Sequence, residues 1–307
     1  VNKWTAPLLR SLYSLLIILA FCDFARSAAC CGGGMSVPSM IISDDRAQFS
    51  ASYGRMDVSV DNVDSQGIWR RWDQHQQVQT IKLEGAHIIS DRWQAGVSMP
   101  IIQRQYGSDS YSGLGDIAAS LSYEYLSDWN YNPYRPKGIG FIQAIIPTGK
   151  SRADSEVGGL DSRGNGFWAI GAGTMLTKAW AMWDVFVLLE WHRSFEKHVS
   201  TSMVQGQVRP DRGSNLGFGF GYNWAMYRAG FSLTRTQEDP IETQFKDGSS
   251  RWQGQERWDT MALSLSYLQG EQWSWTMSYG DQTVFGDPLN TSLGKSLGVQ
   301  LQHRWAR

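Results

Sequence analysis

The segment from Lys295 to Trp305 alternates between two kinds of side chain along its length. One side carries Leu297, Val299, Leu301, His303 and Trp305, and the other carries Ser296, Gly298, Gln300, Gln302 and Arg304. Successive side chains of a β-strand point to opposite faces. The pattern therefore predicts a strand with one face suited to hydrocarbon and one suited to water. Repeated segments of this kind, about ten residues long, are typical of a transmembrane β-barrel.

The same alternation continues through most of the chain. Twelve segments match it: 47–58, 76–89, 92–103, 114–126, 138–148, 165–178, 181–194, 206–223, 226–238, 255–268, 272–281 and 294–305. Each is long enough for a tilted membrane strand, which needs about 9–11 residues. The sequence therefore predicts an all-β fold, a transmembrane antiparallel up-and-down β-barrel of about 12 strands over residues 47–307.

The connections between these segments alternate in length. Short turns fall at 90–91, 178–181, 223–226 and 269–271, and long polar segments fall at 59–75, 104–113, 149–164, 195–205, 239–254 and 282–293. Outer-membrane barrels have short periplasmic turns and long external loops. An even strand count then places both ends of the barrel sequence on the periplasmic side. The long aromatic connection 127–137 breaks this rule and is interpreted as an interfacial anchor or a periplasmic contact site.

A soluble β-sandwich or a lipocalin-type barrel is the competing architecture, because its buried face would also alternate with a solvated one. The second face of the predicted strands argues against it. In segment 206–223 that face carries Asn215, Gly217, Gly219 and Gly221, which are small or polar. Such residues do not fill the interior of a barrel this wide, so the lumen holds either a narrow channel or a plug made from loops.

Composition narrows the class of protein further. The chain has 307 residues, a formal net charge of −1 and 42% hydrophobic residues, which argues against a disordered protein and a strongly basic nucleic-acid binder. No nucleic-acid partner is therefore predicted. The excess lies in aromatic residues and glycine, with 15 Trp, 12 Tyr, 12 Phe and 32 Gly. Membrane barrels use aromatic residues as girdles at both interfaces.

The first 29 residues have a different pattern. Lys3 and Arg10 supply positive charge, and Leu12 to Phe21 is an apolar core too short for a membrane-spanning helix. Ser27 to Ala29 offers small residues at a cleavage site. Residues 1–29 are therefore predicted to be a secretory signal peptide. An N-terminal anchor helix is the alternative.

Cys30 and Cys31 follow the predicted cleavage site directly. Cys30 is a candidate for lipidation, although Ser27 stands where a lipobox has an aliphatic residue. The alternative is an ordinary cysteine pair beside a flexible glycine tether. Residues 30–46 are predicted to form a periplasmic N-terminal lead, and the other placement open to this segment is inside the lumen.

Charged residues on the predicted inner face are the candidates for selectivity. They are Lys82, Glu84, Asp116, Glu124, Asp184, Glu190, Arg228 and Arg304. Opposite charges across a narrow pore would restrict solutes and ions. The alternative is that they pair with each other and only stiffen the wall. Because the signs are mixed, no strong preference for anions or cations is predicted.

Catalysis has one candidate. His192 and Ser194 lie two residues apart on one strand face, as a nucleophile and its base must lie close together. The pattern is superficially similar to the His-x-Ser of outer-membrane phospholipase A, but Phe195-Glu196-Lys197 stands where that family has Asn-Gly-Arg. Both side chains would face the lumen, away from membrane lipid. The sequence therefore predicts no enzyme, and its scattered histidines predict no metal site and no cofactor.

Two short motifs carry a family resemblance. Ile146-Pro147-Thr148-Gly149 after an apolar strand, and Gly113-Leu114-Gly115-Asp116-Ile117 before an alternating strand, resemble the outer-membrane barrels linked to phenol meta-cleavage pathways. That resemblance implies a transporter or channel, in some members for hydrophobic compounds. The Cys30-Cys31 lead and the long Asn-Tyr-Asn-Pro connection depart from the family pattern, which leaves the solute open.

The combined prediction is a porin-like channel in the outer membrane of a Gram-negative bacterium. Its expected partners are outer-membrane lipids, small-molecule solutes and, during insertion, the barrel-assembly machinery. An importer of hydrophobic compounds, and a structural or surface barrel without transport, are the alternatives. A barrel lipid hydrolase is a further one.

Overall fold

Twelve antiparallel strands close into one barrel in the computed structural model, which describes residues 37–71, 75–155, 157, 159–201 and 205–307. The strands are β1 (Asp45–Val63), β2 (Gln76–Ser90), β3 (Trp93–Tyr106), β4 (Ile117–Leu126), β5 (Lys137–Ile146), β6 (Ala169–Ala179), β7 (Trp183–Ser194), β8 (Arg212–Trp224), β9 (Tyr227–Glu238), β10 (Glu256–Gln269), β11 (Trp273–Asp281) and β12 (Thr291–Ala306). Each strand pairs with the next, and β12 pairs with β1 from Asp45↔Ala306 to Val63↔Thr291. The predicted fold class and strand number are confirmed. The described residues contain no helix long and apolar enough to cross a membrane.

The outer face of the barrel is apolar. Leu297 on β12 and Met277 on β11 are 65% and 61% exposed although both are large hydrophobic side chains. Their strand neighbours Ser296 and Ser278 are buried on the inner face. An exposed apolar surface of this kind is stable in lipid rather than water, and closure of the ladder satisfies the backbone where no water is available. The barrel is therefore a transmembrane one.

Aromatic rings cluster at the end of the barrel that carries the short turns, which is called the turn end below; the opposite end is called the loop end. The ring contacts there are Trp93–Tyr123, Trp183–Tyr222, Tyr222–Trp224, Trp224–Tyr227, Tyr227–Tyr267, Trp273–His303 and His303–Trp305, with centroids 4.3–5.9 Å apart. Amphipathic rings favour the boundary between lipid and water. The turn end therefore lies at one membrane interface.

The long connection at the turn end, predicted from its aromatic sequence, is fastened to the outside of the wall. Lys178 Nζ lies 2.7 Å from Asp128 Oδ2, and the Trp180 indole N–H donates to the Pro133 carbonyl. The hydrogen bond from Lys178 lowers the pKa of Asp128 below its usual range. Tyr134 remains 94% exposed. This placement beside the aromatic side chains of the turn end supports the interpretation of the connection 127–137 as an interfacial anchor.

Two predicted strands are interrupted in the structure. Segment 206–223 is divided at 210–211: Gln205–Arg209 leaves the barrel, and β8 begins at Arg212. Pro210 stands at the break, and proline has no backbone N–H for a ladder. Segment 114–126 is divided as well, because Asp109–Leu114 extends β3 as a hairpin and β4 begins only at Ile117.

The long loops carry strands where the sequence predicted polar loop, together with Gln205–Arg209 from the predicted segment 206–223. Lys197–Ser200, Gln205–Arg209, Ile241–Phe245 and Ser250–Gln253 form a second, four-stranded antiparallel sheet, and Trp69–Arg70 pairs with β1. Phe167, Val199 and Val208 form a buried cluster beneath this sheet. The loops therefore form a folded unit with its own apolar core.

The predicted signal peptide and Cys30 lie outside the described residues, so export and lipidation stay predictions. Of the predicted lead 30–46, the described part begins at Val37. Met40 and Ile41 are 2% exposed and lie inside the barrel, and β1 begins at Asp45. Residues 37–42 thus take the lumenal placement that the sequence left open, and a periplasmic location remains a prediction only for the residues before them.

Candidate functional site in the barrel lumen

A cavity of about 520 Å³ occupies the turn-end part of the lumen. The inner faces of β9 to β12, β1 and β2 form most of its wall and are called the polar wall below; Thr177 and Ala179 on β6 and Asp184 on β7 also line the cavity. The hydroxyl and amide residues of the polar wall that line the cavity are Gln48, Ser50, Ser52, Thr80, Ser266, Thr276, Ser278, Ser296, Gln300 and Gln302. The cavity exists because the inward positions of these strands carry small side chains, as their alternation predicts.

Five of the eight predicted charged residues line this cavity. They are Lys82, Glu84, Asp184, Arg228 and Arg304. Arg228 holds Asp184 through two bonds, Nε to Oδ2 at 2.9 Å and Nη2 to Oδ1 at 2.5 Å. Lys82 Nζ lies 2.8 Å from Glu84 Oε1, and Arg304 Nη1 lies 3.8 Å from Asp45 Oδ2. Each cavity charge therefore has an opposite charge beside it on the wall.

Asp116 stands apart from the cavity. Its carboxylate accepts hydrogen bonds from the backbone N–H groups of Gly149, Asn165 and Gly166 at 2.7–3.1 Å. Burial raises the pKa of the Asp116 carboxyl above its usual value. The residue fastens the loop between β5 and β6 to the start of β4, which is a structural role rather than a lumen charge.

The two motifs that carried the family resemblance meet at this corner. The Thr148 hydroxyl donates to the Gly115 carbonyl at 2.6 Å and accepts the N–H of Ile117 at 3.2 Å. The Gly149 N–H donates to Asp116. The resemblance therefore rests on one built corner of the wall, where β4 and β5 reach the loop end.

Glu124 and Glu190 are also paired away from the cavity. Glu124 Oε2 lies 3.2 Å from Lys137 Nζ near the turn end. Glu190 accepts from Asn215 Nδ2 at 2.6 Å and lies 3.0 Å from His192 Nδ1. For these two predicted residues the geometry matches the alternative in which charges pair and stiffen the wall, whereas Asp116 is bound by backbone N–H groups.

His192 is held between two carboxylates. Its Nδ1 faces Glu190, and its Nε2 lies 3.1 Å from Glu238 Oε2. Both ring nitrogens thus bind acidic oxygens, so the imidazole is not arranged as the base of the neighbouring Ser194. The cluster stiffens the junction of β7, β8 and β9. Among the described residues no group of three or more His, Cys, Asp or Glu has the geometry to hold a metal ion.

The opposite side of the lumen is apolar. Ile139 and Phe141 on β5, Met175 on β6 and Leu188 on β7 are buried together, with Phe186 packed beside them. These inward positions form the apolar wall. Met40 of the N-terminal segment packs into this cluster and is 2% exposed. The segment therefore covers the apolar wall and leaves the polar wall facing the cavity.

Hydrogen bonds hold the backbone of the N-terminal segment. Gln94 on β3 bonds Ile41 twice, accepting its N–H at 2.5 Å and donating to its carbonyl at 3.1 Å. Gln48 donates to the Met40 carbonyl and Lys137 to the Ile42 carbonyl, both at 2.9 Å. Buried backbone groups need such partners. The segment is thus a built part of the lumen and not a loose tail.

Toward the loop end, the strands that form the polar wall become apolar on their inner face. Val60 and Val63 on β1, Trp258 on β10 and Leu293 on β12 form a buried cluster, which is called the loop-end cluster. Met56 and Val78 line the cavity and pack with Val58, between the cavity and the loop-end cluster. A polar chamber near the turn end is therefore followed by an apolar zone.

Three residues of this site were not predicted from the sequence: Met40, Gln94 and Asp45. One signal was present, because Met40-Ile41-Ile42 is an apolar run inside a lead rich in Gly, Ser and Pro. A second was the weak alternation of β5, where Ile139 and Phe141 face inward while Ile142 faces outward. Apolar residues on both faces indicate that the inner face is covered by protein.

Comparison with known proteins finds solved structures with a similar fold. No family model matches the chain, and no curated protein matches it. Among solved structures, an outer-membrane channel from Pseudomonas putida F1 is 14% identical, with 87% of this chain and 97% of that chain covered and a TM-score of 0.69. At this identity the likeness shows a shared barrel fold.

Two further solved barrels overlap less well. The NanC porin is 10% identical over 83% of this chain and 98% of that chain, with a TM-score of 0.46. The TodX monoaromatic hydrocarbon channel, in a mutant form, is 8% identical over 86% and 91%, with a TM-score of 0.43. These overlaps are too weak to support an argument about this chain.

Proposed function

We propose that the protein is a porin-like channel that passes small molecules across the outer membrane of a Gram-negative bacterium. The observation that carries this is the cavity of about 520 Å³ inside a closed transmembrane barrel. A barrel with a purely structural role would need no such chamber, because side chains can fill a smaller lumen completely. The fold shared with an outer-membrane channel supports the same conclusion.

The geometry predicts a narrow pathway. A solute that enters from the loop end meets the loop-end cluster, then the chamber, then the N-terminal segment. Hydrophobic constrictions impede ions by excluding water. We therefore propose a channel of low conductance whose N-terminal segment and loop-end cluster both limit passage.

Single-channel recording in a planar bilayer tests the proposal. The full chain is produced with its own leader in a Gram-negative host and purified from the membrane fraction. Small, stable, step-like openings are the expected result. The control is the same preparation after heat unfolding. Inserted, heat-modifiable protein that conducts no current and passes no solute into liposomes would contradict the proposed channel.

Uptake of hydrophobic compounds is the second candidate. The apolar wall favours this second function, because movement of Met40 would expose an apolar surface to the lumen. That surface consists of Ile139, Phe141, Met175 and Leu188. Faster uptake of an apolar fluorescent probe by cells carrying the protein, lowered by Leu188→Thr but not by Thr276→Ser at equal amounts of heat-modifiable barrel, would support this candidate. Equal uptake of the probe by cells that carry an empty vector would exclude uptake of hydrophobic compounds as the function.

Delivery to the membrane belongs to the same proposal. A secretory signal over residues 1–29 would export the chain, and the barrel-assembly machinery would insert it among outer-membrane lipids. Mass spectrometry of the purified protein tests both the cleavage site and lipidation of Cys30. A diacylglyceryl mass on Cys30 would show lipidation, and an unmodified N-terminus would exclude it. The proposal assigns no catalytic step to the barrel.

A further inference from the structure

We propose that the lumen chamber selects uncharged, hydroxyl-rich solutes, such as sugars and polyols, over ions of the same size. The inference rests on the proposed channel function and names the substrate class of that channel. Three features of the chamber carry it: the hydrogen-bonding chemistry of its wall, the local pairing of its charges, and its volume.

The first feature is the density of neutral hydrogen-bonding groups. Ser50, Ser52, Thr80, Thr276 and Ser296 line the chamber together with Gln48, Gln300 and Gln302. A hydroxyl both donates and accepts, and an amide offers two donors and an acceptor. Such a wall replaces the water around a sugar hydroxyl by equivalent bonds, whichever way the solute turns. It offers no comparable compensation to a full charge.

The second feature is that each charged side chain of the chamber has an oppositely charged side chain beside it. Arg228 is clamped by Asp184 through two bonds, and Lys82 lies against Glu84. Arg304 has Asp45 beside it. An ion of either sign in the chamber thus meets pairs whose fields largely cancel at a distance. A lumen that attracted ions would instead present a row of one sign.

β8 lies between the strands that carry Asp184 and Arg228, and its residues allow this ion pair to lie flat against the wall. Gly221 on β8 lies opposite Asp184, and an added Cβ there would come within 2.4 Å of Arg228 Nη2. The absence of a side chain lets the guanidinium lie along the sheet instead of crossing the lumen. The pair therefore neutralises the wall without blocking the chamber.

The third feature is size. A volume of about 520 Å³ falls within the roughly 300–1,000 Å³ of sites that enclose small organic molecules. Met40, Met56 and Val78 bound the chamber on its apolar sides and can contact the C–H faces of a sugar ring. A compact neutral carbohydrate thus matches both the polar wall and its apolar margins.

Liposome swelling with three solutes of nearly equal size tests the selectivity. The purified full chain is reconstituted, and swelling is followed in glucose, gluconate and glucosamine. We expect glucose to enter roughly fivefold or more faster than either charged analogue. Equal rates for all three, or faster entry of a charged solute, would overturn the inference while leaving the channel in place.

Variants that neutralise one charge of a pair test the cause of the selectivity. In a KCl gradient the wild-type zero-current potential should lie near zero. Asp184→Asn leaves Arg228 without its carboxylate partner and should shift selectivity toward anions, and Arg228→Gln should shift it toward cations. The double variant restores neutrality and should return to the wild-type value. If both single variants keep the wild-type potential, the paired charges do not set selectivity, and this inference fails.

An ion pair of the same chemistry on the outer face serves as the matched control. Arg235, also on β9, holds Asp259 with bonds of 2.8 and 3.0 Å, and both positions are outward in register. Asp259→Asn should leave the potential and the swelling order unchanged. A folded, inserted wild-type protein that passes none of the three solutes would instead contradict the channel itself.

Discussion

The two walls of the lumen differ in the side chains that they carry and in what lies against them. The polar wall, on β9 to β12, β1 and β2, carries small hydroxyl and amide residues and leaves a chamber. The apolar wall, on β5 to β7, carries large hydrophobic residues and is covered by Met40. A water-filled lumen cannot stabilise exposed apolar side chains, so the apolar wall needs a cover of protein or apolar solute. The N-terminal segment therefore packs its apolar side chain Met40 against one wall, and the other wall lines the chamber.

The strongest test of this contrast places the same charge on each wall. Phe141→Asp would bury an unpaired carboxylate beneath Met40 and should cost several kcal/mol of barrel stability. Thr276→Asp faces the chamber, where water can solvate the charge, and should fold normally. Heat-modifiable mobility and the urea unfolding midpoint in detergent measure the difference. Equal midpoints for the two variants would show that the apolar wall is solvated as well.

Truncation of the cover gives the next largest effect. Met40→Ala removes a buried side chain from the apolar cluster, a change that typically costs about 2–5 kcal/mol. Here the cost falls on the docking of the N-terminal segment, so conductance and current noise should rise in planar bilayers. Met226→Ala, at an exposed position in the turn between β8 and β9, is the matched control. Unchanged currents in Met40→Ala would mean that the segment does not limit passage.

A glycine pair on β8 tests how closely the walls are packed. An added Cβ at Gly219 would lie 2.4 Å from the Phe186 ring and 2.8 Å from the Phe231 carbonyl oxygen. Gly219→Ala should therefore destabilise the barrel by roughly 1–3 kcal/mol. At Gly217 the nearest atom is 3.3 Å away, so Gly217→Ala should cost less. Thermal unfolding that ranks Gly217→Ala as the more harmful change would contradict this packing.

The smallest expected effect comes from the hydrogen bonds of the segment. Gln94→Ala removes both bonds to Ile41, each worth about 1 kcal/mol. Conductance should rise less than in Met40→Ala, because the apolar contact persists. Gln300→Ala, on the chamber wall, should leave the docking of the segment unchanged. A larger rise in Gln94→Ala than in Met40→Ala would show that hydrogen bonds, not apolar contact, hold the segment.

Most of the barrel could be predicted from local pattern. The alternation in 294–305 predicted both the strand and its outward face, and Leu297 and Trp305 are indeed exposed. The twelve strands and their pairing order follow from the same rule, since sequential strands joined by short turns pair with each other. Errors arose where the pattern ran past a break, as at Pro210 and at Gly115.

The candidate site was predictable only in part. The sequence placed Lys82, Glu84, Asp184, Arg228 and Arg304 on the inner face, and they line the chamber. It could not show that Arg228 binds Asp184, because 44 residues separate them and their meeting depends on the register across β7, β8 and β9. Asp116 was assigned to the lumen from its phase alone, although the loop between β5 and β6 satisfies its carboxylate.

The sequence by itself determined that this chain forms a closed barrel with an apolar outside and a largely small, polar inside. That information is local, because a period of two assigns each side chain to a face whatever the partner strand. Only the tertiary structure decided which inward residues face space and which are covered. Closure brings β5 to β7 across from β1 and β12, and the segment 37–42 then packs against one side. The chamber and its cancelled charges follow from that asymmetry.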